Sequence, residues 1–333
     1  MAGYDTLQAA WYGPRGAPWW TWPLAWLYQA LVGLRVGLYR RGWLQARRLP
    51  VPVVVIGNLT AGGTGKTPLT IAVVRALRTR GWQPGVVSRG YGGMQHAPAL
   101  LGDDPDPAAV GDEPCLIHAN GIPVAIGRER PAAARLLLDA GCDLVVADDG
   151  LQHYALARDV EVCVIDGVRR FGNRRLLPAG PLREPLSRLS RVDFRVCNGG
   201  QPEQGEYAMH LSGDDAVALV DGRSQPLRDF SGQCVHAVAA IGNPQRFFAG
   251  LRAIGIDVVE HAFADHHRYL PGDLDFADGV PVLMTDKDAV KCRAFAQPHW
   301  WRVPVQAELP ADFFDALAQR VEAARKVPGS RAS

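Results

Sequence analysis

The apolar run Val53-Val54-Val55-Ile56-Gly57, followed closely by Ala61-Gly62-Gly63-Thr64-Gly65-Lys66-Thr67, constrains this chain more than any other feature. A buried strand, a glycine loop and a Lys-Thr pair opening a helix form a device for gripping nucleotide phosphates. Glycines let backbone N–H groups crowd around phosphate oxygens, and the next helix turns its positive end toward them. In that geometry Lys66 reaches the β/γ-phosphates and the Thr67 hydroxyl ligates Mg²⁺. The strict pattern G-x-x-x-x-G-K-[ST] asks for glycine where this chain has Thr60. A glycine-rich turn that binds nothing is the bland alternative. Lys-Thr after Gly-x-Gly, between strand and helix, favours a bound nucleoside triphosphate.

With 333 residues, one large or two medium domains are expected. A net charge of +2 gives no whole-molecule argument for nucleic-acid binding. Cys115, Cys142, Cys163, Cys197, Cys234 and Cys292 are scattered without a C-x-x-C pair, so buried reduced thiols in a cytosolic setting are expected, and no zinc site. The basic tail after Val327 is expected to fray.

Trp11, Trp19, Trp20, Trp22, Trp26 and Trp43 crowd the amino-terminal segment. From Ala17 to Leu34 there is no charge, and then come Arg35, Arg40, Arg41, Arg47 and Arg48. Trp20, Leu24, Leu27, Leu31, Leu34 and Leu38 recur at helical spacing and stripe one face. A secretory signal is disfavoured, because the segment lacks a basic start and a small-residue cleavage site. A transmembrane span just meets the minimum length of roughly 17 residues, but Pro18, Pro23 and Gln29 interrupt it. A helix packed on the protein's own core and a helix lying in a bilayer interface remain. Tryptophan and arginine together favour the interface.

Beyond the glycine loop, residues 68–79 read as a helix and Gly85-Val86-Val87-Ser88 as a strand leading into Arg89-Gly90-Tyr91-Gly92-Gly93. Strands at 123–126, 143–147 and 161–166, with a helix over 131–140, complete the alternation. The chain is therefore expected to be α/β, a doubly wound, mostly parallel sheet. Near residue 200 the rhythm changes. Residues 206–222 read as antiparallel strands, and a second strand–loop–helix starts at Val235. The expected division is residues 1–48 as a membrane-associated helix, 49–200 as the nucleotide core, and 201–333 as a smaller α/β domain closing over a cleft.

Asp148 and Asp149, at the end of an apolar strand, suit a carboxylate position for Mg²⁺; they also suit a turn cap. Gln152 and His153 follow at once. In Gly111-Asp112-Glu113-Pro114 the acids can cap a helix, or Asp112 can act as general base; spacing does not choose. Phe263-Ala264-Asp265-His266-His267-Arg268 is a dense polar knot. Arg174, Arg175 and Arg183 either clamp a phosphorylated acceptor or form a solvated edge.

Taken in order, GNLTAGGTGKT (57–67), SRGYGG (88–93), GDEP (111–114), ADDGLQH (147–153), LLPAGPLREP (176–185), FADHH (263–267) and TDKDAVK (285–291) resemble the tetraacyldisaccharide 4′-kinase (LpxK) family over most of the chain. The resemblance implies a kinase that moves the ATP γ-phosphate to the 4′-hydroxyl of a tetraacylated disaccharide 1-phosphate, giving lipid IVA in lipid A biosynthesis. It implies ATP and Mg²⁺, an acylated lipid partner, and the cytoplasmic face of a bacterial inner membrane. Neither nucleic acid nor an obligate protein partner is expected. By motif, Thr60 to Thr67 hold the nucleotide, and Thr67, Asp148 and Asp149 hold the metal. Asp112 matches the catalytic base, His266 its support from the second domain, and Lys66 the phosphate-neutralising cation. Asn58, Tyr91, Gln152, His153 and Arg183 match acceptor- or phosphate-lining positions. Asp286 departs from the commoner Glu, a like-charged change expected to be mild.

A membrane-recruited switch ATPase would also combine such a loop with an amphipathic helix. It usually carries an extra lysine early in the loop, where this chain has Thr60 and Ala61. A GTPase is disfavoured because Thr285-Asp286-Lys287-Asp288 has the wrong order for guanine reading.

Overall fold

The computed structural model describes residues 9–14, 16–276 and 278–325; the tail after Val327 lies outside them. The first long helix is α1 (Thr21–Arg40). Eight strands follow in the first half of the fold: β1 (Val53–Gly57), β2 (Pro84–Ser88), β3 (Ala99–Leu100), β4 (Val124–Ile126), β5 (Leu144–Asp148), β6 (Val160–Asp166), β7 (Phe194–Asn198) and β8 (Glu206–Ser212). Between them lie α2 (Lys66–Arg78), α3 (Pro107–Val110), α4 (Asp112–His118) and α5 (Arg130–Asp139). The second half contributes β9 (Asp215–Ala218), β10 (Ser224–Pro226), β11 (Cys234–Ala239), α6 (Pro244–Ala253), β12 (Asp257–Ala262), β13 (Val282–Thr285), α7 (Asp286–Cys292) and β14 (Trp300–Val303). The described chain closes with β15 (Gln306–Glu308) and α8 (Ala311–Arg325).

Two sheets result. The larger has the order β15-β8-β7-β6-β1-β5-β2-β4-β3, and the smaller β10-β9-β14-β13-β11-β12. Seven central strands of the larger sheet run parallel, with antiparallel β15 and β3 at its edges. Strand β1 is buried throughout because both faces are covered, and this explains its unbroken apolar run. Its side chains alternate between two cores. Val54 and Ile56 meet Leu69, Val73 and Leu77 of α2, together with Phe313, Leu317 and Val321 of α8. Val53 and Val55 meet Ala133, Ala134 and Leu137 of α5 on the other face. The smaller sheet has its own pair of cores.

The sheets divide the chain differently from a split at residue 200. Strand β8 pairs in parallel with β7 and antiparallel with β15, so both extend the larger sheet. Residues 206–222 are therefore not one antiparallel unit: β8 lies in the larger sheet, and β9 lies in the smaller, antiparallel to β10 and β14. Helix α8 joins the larger sheet's core through residues spaced four apart, which stack on one helical face. Residues between β8 and β15 thus form a unit inserted into the first, not the carboxyl-terminal part of the chain.

Helix α1 buries only Thr21 and Ala25. The stripe expected from the sequence faces outward: Trp20, Leu24, Leu27, Leu31 and Leu34 are exposed, Leu34 at 61 % and Leu38 half-buried. The reading that packs this stripe on the protein's own core is corrected, since the core offers it no partner. Among the described residues no helix is long and apolar enough to cross a membrane. The segment is tied down by polar contacts: the Trp11 indole donates to the Pro178 carbonyl (2.9 Å) and the Tyr28 hydroxyl to the Arg183 carbonyl (3.0 Å). All six cysteines are free; Cys234 is exposed and the other five are buried.

Candidate active site

The glycine loop leaves β1 in the middle of the larger sheet, where Ile56 is in register with Asp148 of β5. Parallel strands with this order bring the loop and the acidic strand end together at the carboxyl edge of the sheet, the side on which such sheets bind ligands. The loop is held from three directions. Asn58 is fully buried; its amide donates to the Gly62 carbonyl (3.2 Å), and its carbonyl accepts from the Lys66 ammonium (3.4 Å). The 176–185 segment lies alongside, accepting from Ala61 N–H at Pro181 and donating from Arg183 N–H to Leu59, each at 2.7 Å. The Arg169 guanidinium donates to Gly63 O (2.8 Å), and the Asn198 amide donates to Thr64 O (2.9 Å). Gly65, at φ 89°, caps α2 in the left-handed region, and a Cβ there would fall 2.4 Å from the Asn198 amide nitrogen.

Charge is concentrated next to this loop. The Asp149 carboxylate lies 3.6 Å from Lys66 Nζ, and both its oxygens accept from Arg183 Nη1 at 3.0 Å. Burial pushes its pKa up, but Lys66, Arg183 and Arg130 outweigh it and hold the group well below the usual carboxylate range. Asp149 also takes φ 47°, an unfavourable region for a non-glycine residue that persists where the surroundings enforce it. Asp148 is fully buried. One of its oxygens accepts from the Thr70 hydroxyl (2.9 Å) and the other has no partner. Burial, followed by the nearby Glu113, pushes Asp148 up to about 7 against the opposing pull of Lys66. An unpartnered buried carboxylate oxygen is costly unless a cation or water meets it. Thr67 follows Lys66 in the first turn of α2, and an oxygen-only set of Thr67 with the two aspartates is of the kind that suits a hard divalent ion.

The second unit completes the site. Asp112 opens α4 and is buried; His266, on the loop after β12, places Nδ1 3.1 Å from both of its carboxylate oxygens. Burial raises Asp112, but the hydrogen bond from His266 and the Lys287 charge win, leaving it below its ordinary value. Burial lowers His266, yet Asp112 and Asp265 more than compensate, and its pKa stands raised. His266 has φ 62°, left-handed like Asp149. The Tyr91 ring is exposed, with its centroid 5.1 Å from the His266 ring. The units also touch at the glycine loop: Gly242, after β11, approaches so closely that a Cβ on it would lie 2.9 Å from Gly63 N.

The structure therefore brings Lys66, Thr67, Asp148, Asp149 and Arg183 together on one side, and Asp112, His266 and Tyr91 on the other. Two of the positions matched to the acceptor or phosphate lining sit beneath the loop. Asn58 has no exposed surface and braces the loop through its amide. Gln152 donates to Asn58 O (3.1 Å) and Glu184 (3.4 Å), so it too serves the loop's underside. His153 is pushed down to about 3, by burial first and then by Arg130 and Arg158; it is neutral, and its Nε2 is buried without a partner. Sequence reading missed Arg130, buried between the charges of Asp148 and Asp149 with Nη1 unpartnered. It also missed Arg169, Asn198 and Lys287. Of these only Lys287 lies in a quoted motif, TDKDAVK, and that motif gave it no role. Asp286 accepts from Arg302 (2.6 Å), away from the carboxylates of the site.

Comparison with known proteins agrees with this layout. The family model "Tetraacyldisaccharide-1-P 4'-kinase" (LpxK) matches residues 17–322. The chain is 54% identical over 337 residues to the tetraacyldisaccharide 4′-kinase of Stenotrophomonas maltophilia, covering 98% of this chain and 99% of that one. Against the corresponding protein of Xanthomonas euvesicatoria the identity is 54% over 312 residues, 90% of each chain. The structure is similar to that of LpxK from Aquifex aeolicus in complex with ATP, with a TM-score of 0.74 and 25% identity over 90% of this chain and 97% of that one.

Proposed function

The chain belongs to the tetraacyldisaccharide-1-P 4′-kinase family of lipid A biosynthesis, and from that membership we propose how its residues carry out the transfer. It binds ATP and phosphorylates the 4′-hydroxyl of a tetraacyldisaccharide 1-phosphate, giving lipid IVA and ADP. The hydroxyl oxygen forms a bond to the γ-phosphorus. The bond from that phosphorus to the β-phosphate bridging oxygen breaks, its electron pair leaves with ADP, and the hydroxyl proton passes to the Asp112 carboxylate. Such transfer needs positioning and charge neutralisation more than covalent chemistry. Lys66 and the backbone N–H groups from Thr60 to Thr67 neutralise and fix the phosphates. Arg183 holds Asp149 in place.

The observation that carries this reading is the Asp112–His266 contact between two units, opposite the glycine loop. The Nδ1–H of His266 donates to Asp112, orienting the carboxylate and stabilising its charge before it accepts a proton. Mg²⁺, held by Thr67, Asp148 and Asp149, would supply charge neutralisation at the β/γ-phosphates. The unpartnered Asp148 oxygen supports that assignment. Transfer of label from γ-labelled ATP to tetraacyldisaccharide 1-phosphate in detergent micelles, with Mg²⁺ or EDTA, tests the reaction. ATP hydrolysis without lipid labelling would refute it.

The exposed stripe of α1 supports residence at the cytoplasmic face of the inner membrane. Leu27, Leu31 and Leu34 face outward, while Arg35, Arg40 and Arg41 lie where they can meet anionic headgroups. Replacing Leu27 and Leu31 together by Glu removes vesicle co-sedimentation while leaving the Tyr28 and Trp11 anchors intact. Full sedimentation of that variant would overturn the membrane assignment.

A further inference from the structure

Lys287, the second residue of α7, has no part in the transfer described above, yet its ammonium sits at the junction of the two units. It lies 3.3 Å from Glu113, 3.4 Å from Asp265 and 3.7 Å from Asp112, and its side chain is only 16% exposed. Two of these acids belong to α4 of the first unit and one to the second, so a single lysine links three carboxylates across the cleft. Burial works against the charged form of Lys287, but Glu113, Asp112 and Asp265 overcome it and raise its pKa. Its short link to Asp265 holds the side chain on its own unit, and the links to Asp112 and Glu113 reach the other.

The surroundings of Asp112 explain why a fixed cation is needed there. His266 and Asp265 face it from the loop after β12, and Lys287 and Lys291 from α7; Glu113 and Cys115 share its own helix. Without Lys287, Asp112 would sit buried beside two further acids with His266 as its one close cation. Like charges at that range favour protonation of a carboxylate, which removes it as a base.

We propose that Lys287 is a positioning residue for phosphoryl transfer: it fixes the Asp112 carboxylate opposite His266 and makes that arrangement depend on closure of the second unit over the first. This rests on Asp112 being the base, and the experiment separates the two ideas. Lys287→Met, Lys287→Arg, Asp112→Asn and the double variant Asp112→Asn/Lys287→Met are compared by kcat, KM for ATP and the pH profile of kcat, with thermal unfolding as a control for folding. Loss of an opposite charge at this distance raises a carboxylate pKa by about 1–3 units. The acid limb of the Lys287→Met profile therefore moves up by about that amount, with KM for ATP changed less than about threefold. Lys287→Arg, which retains the charge, restores most of kcat, and adding Lys287→Met to Asp112→Asn lowers kcat no further. An unshifted profile for a folded Lys287→Met overturns the proposal, as does an additive loss in the double variant or a pH-independent loss shared with Lys287→Arg. Near-normal turnover of Asp112→Asn would overturn the base assignment itself, whatever Lys287→Met does.

Discussion

Asp148–Asp149 and Asp112–Glu113 are both pairs of neighbouring acids at the edge of the larger sheet, but they are held differently. Asp149 finds Lys66 and Arg183, and Asp148 finds Thr70, all from the first unit. Asp112 and Glu113 find His266 and Lys287, both from the second. The nucleotide half of the site is thus complete within one unit, whereas the transfer half exists only where two units meet. On the roles proposed above, the first unit alone holds ATP, and the base is oriented only where the second unit meets it.

The largest effect that would sharpen this contrast falls on the transfer half. Asp112→Asn is expected to lower kcat by about 10²–10⁴-fold, the usual worth of a general base. The ATP dissociation constant stays unchanged, because the nucleotide half is intact; isothermal titration alongside steady-state kinetics reads both. Arg183→Ala is the converse. Losing a charge-assisted pair to Asp149 weakens ATP binding by about 10–100-fold, while the acid limb of the kcat profile stays in place. If the two variants changed the same parameter, the division between halves would be broken.

A smaller effect comes from the seam itself. Gly242→Ala sets a methyl group against the Gly63 backbone nitrogen, and that closest neighbour is main chain with little freedom to move. Such crowding is expected to hold the units apart and lower kcat by about 5–10-fold, with ATP affinity affected less. Smallest is the pH-dependent strength of the seam. His266 stands above its ordinary 6.5 and Asp112 below its ordinary 3.8. The pair therefore contributes fully between those ordinary values. Its contribution is lost as pH rises through the raised His266 value, and also as pH falls through the depressed Asp112 value. The stability difference between the wild type and His266→Asn, about 1 kcal/mol by urea unfolding near pH 6, should shrink toward pH 9. A difference constant over that range would mean the contact carries no charge.

The same division governs how much the sequence could tell. The glycine loop and the Asp148–Asp149 strand end are local patterns, in which a few consecutive residues carry both the backbone geometry and the chemistry. Their elements were legible: the helix read over 68–79 spans Lys66–Arg78. Asp112 and His266 are separated by 154 positions, and residue spacing alone left Asp112 undecided between cap and base. Only the resemblance to a family paired them. Lys287 lay inside the family-like segment TDKDAVK and in a failed guanine motif, but neither gave it a role, because nothing in TDKD says which helix it will face. Phe313, Leu317 and Val321 announce a helix with one apolar face, but not that the face belongs to the larger sheet. The α1 stripe shows the opposite case. Its periodicity was plain, and only its surroundings decide whether such a face is covered by protein.

Because β15 and α8 return to the larger sheet after the inserted unit, this chain is synthesised out of order with respect to its architecture. The inserted unit, from β9 to β14, has emerged before Phe313, Leu317 and Val321 are available to cover Val54 and Ile56. During translation the nucleotide-gripping unit, though it begins first, is the last to acquire its full core.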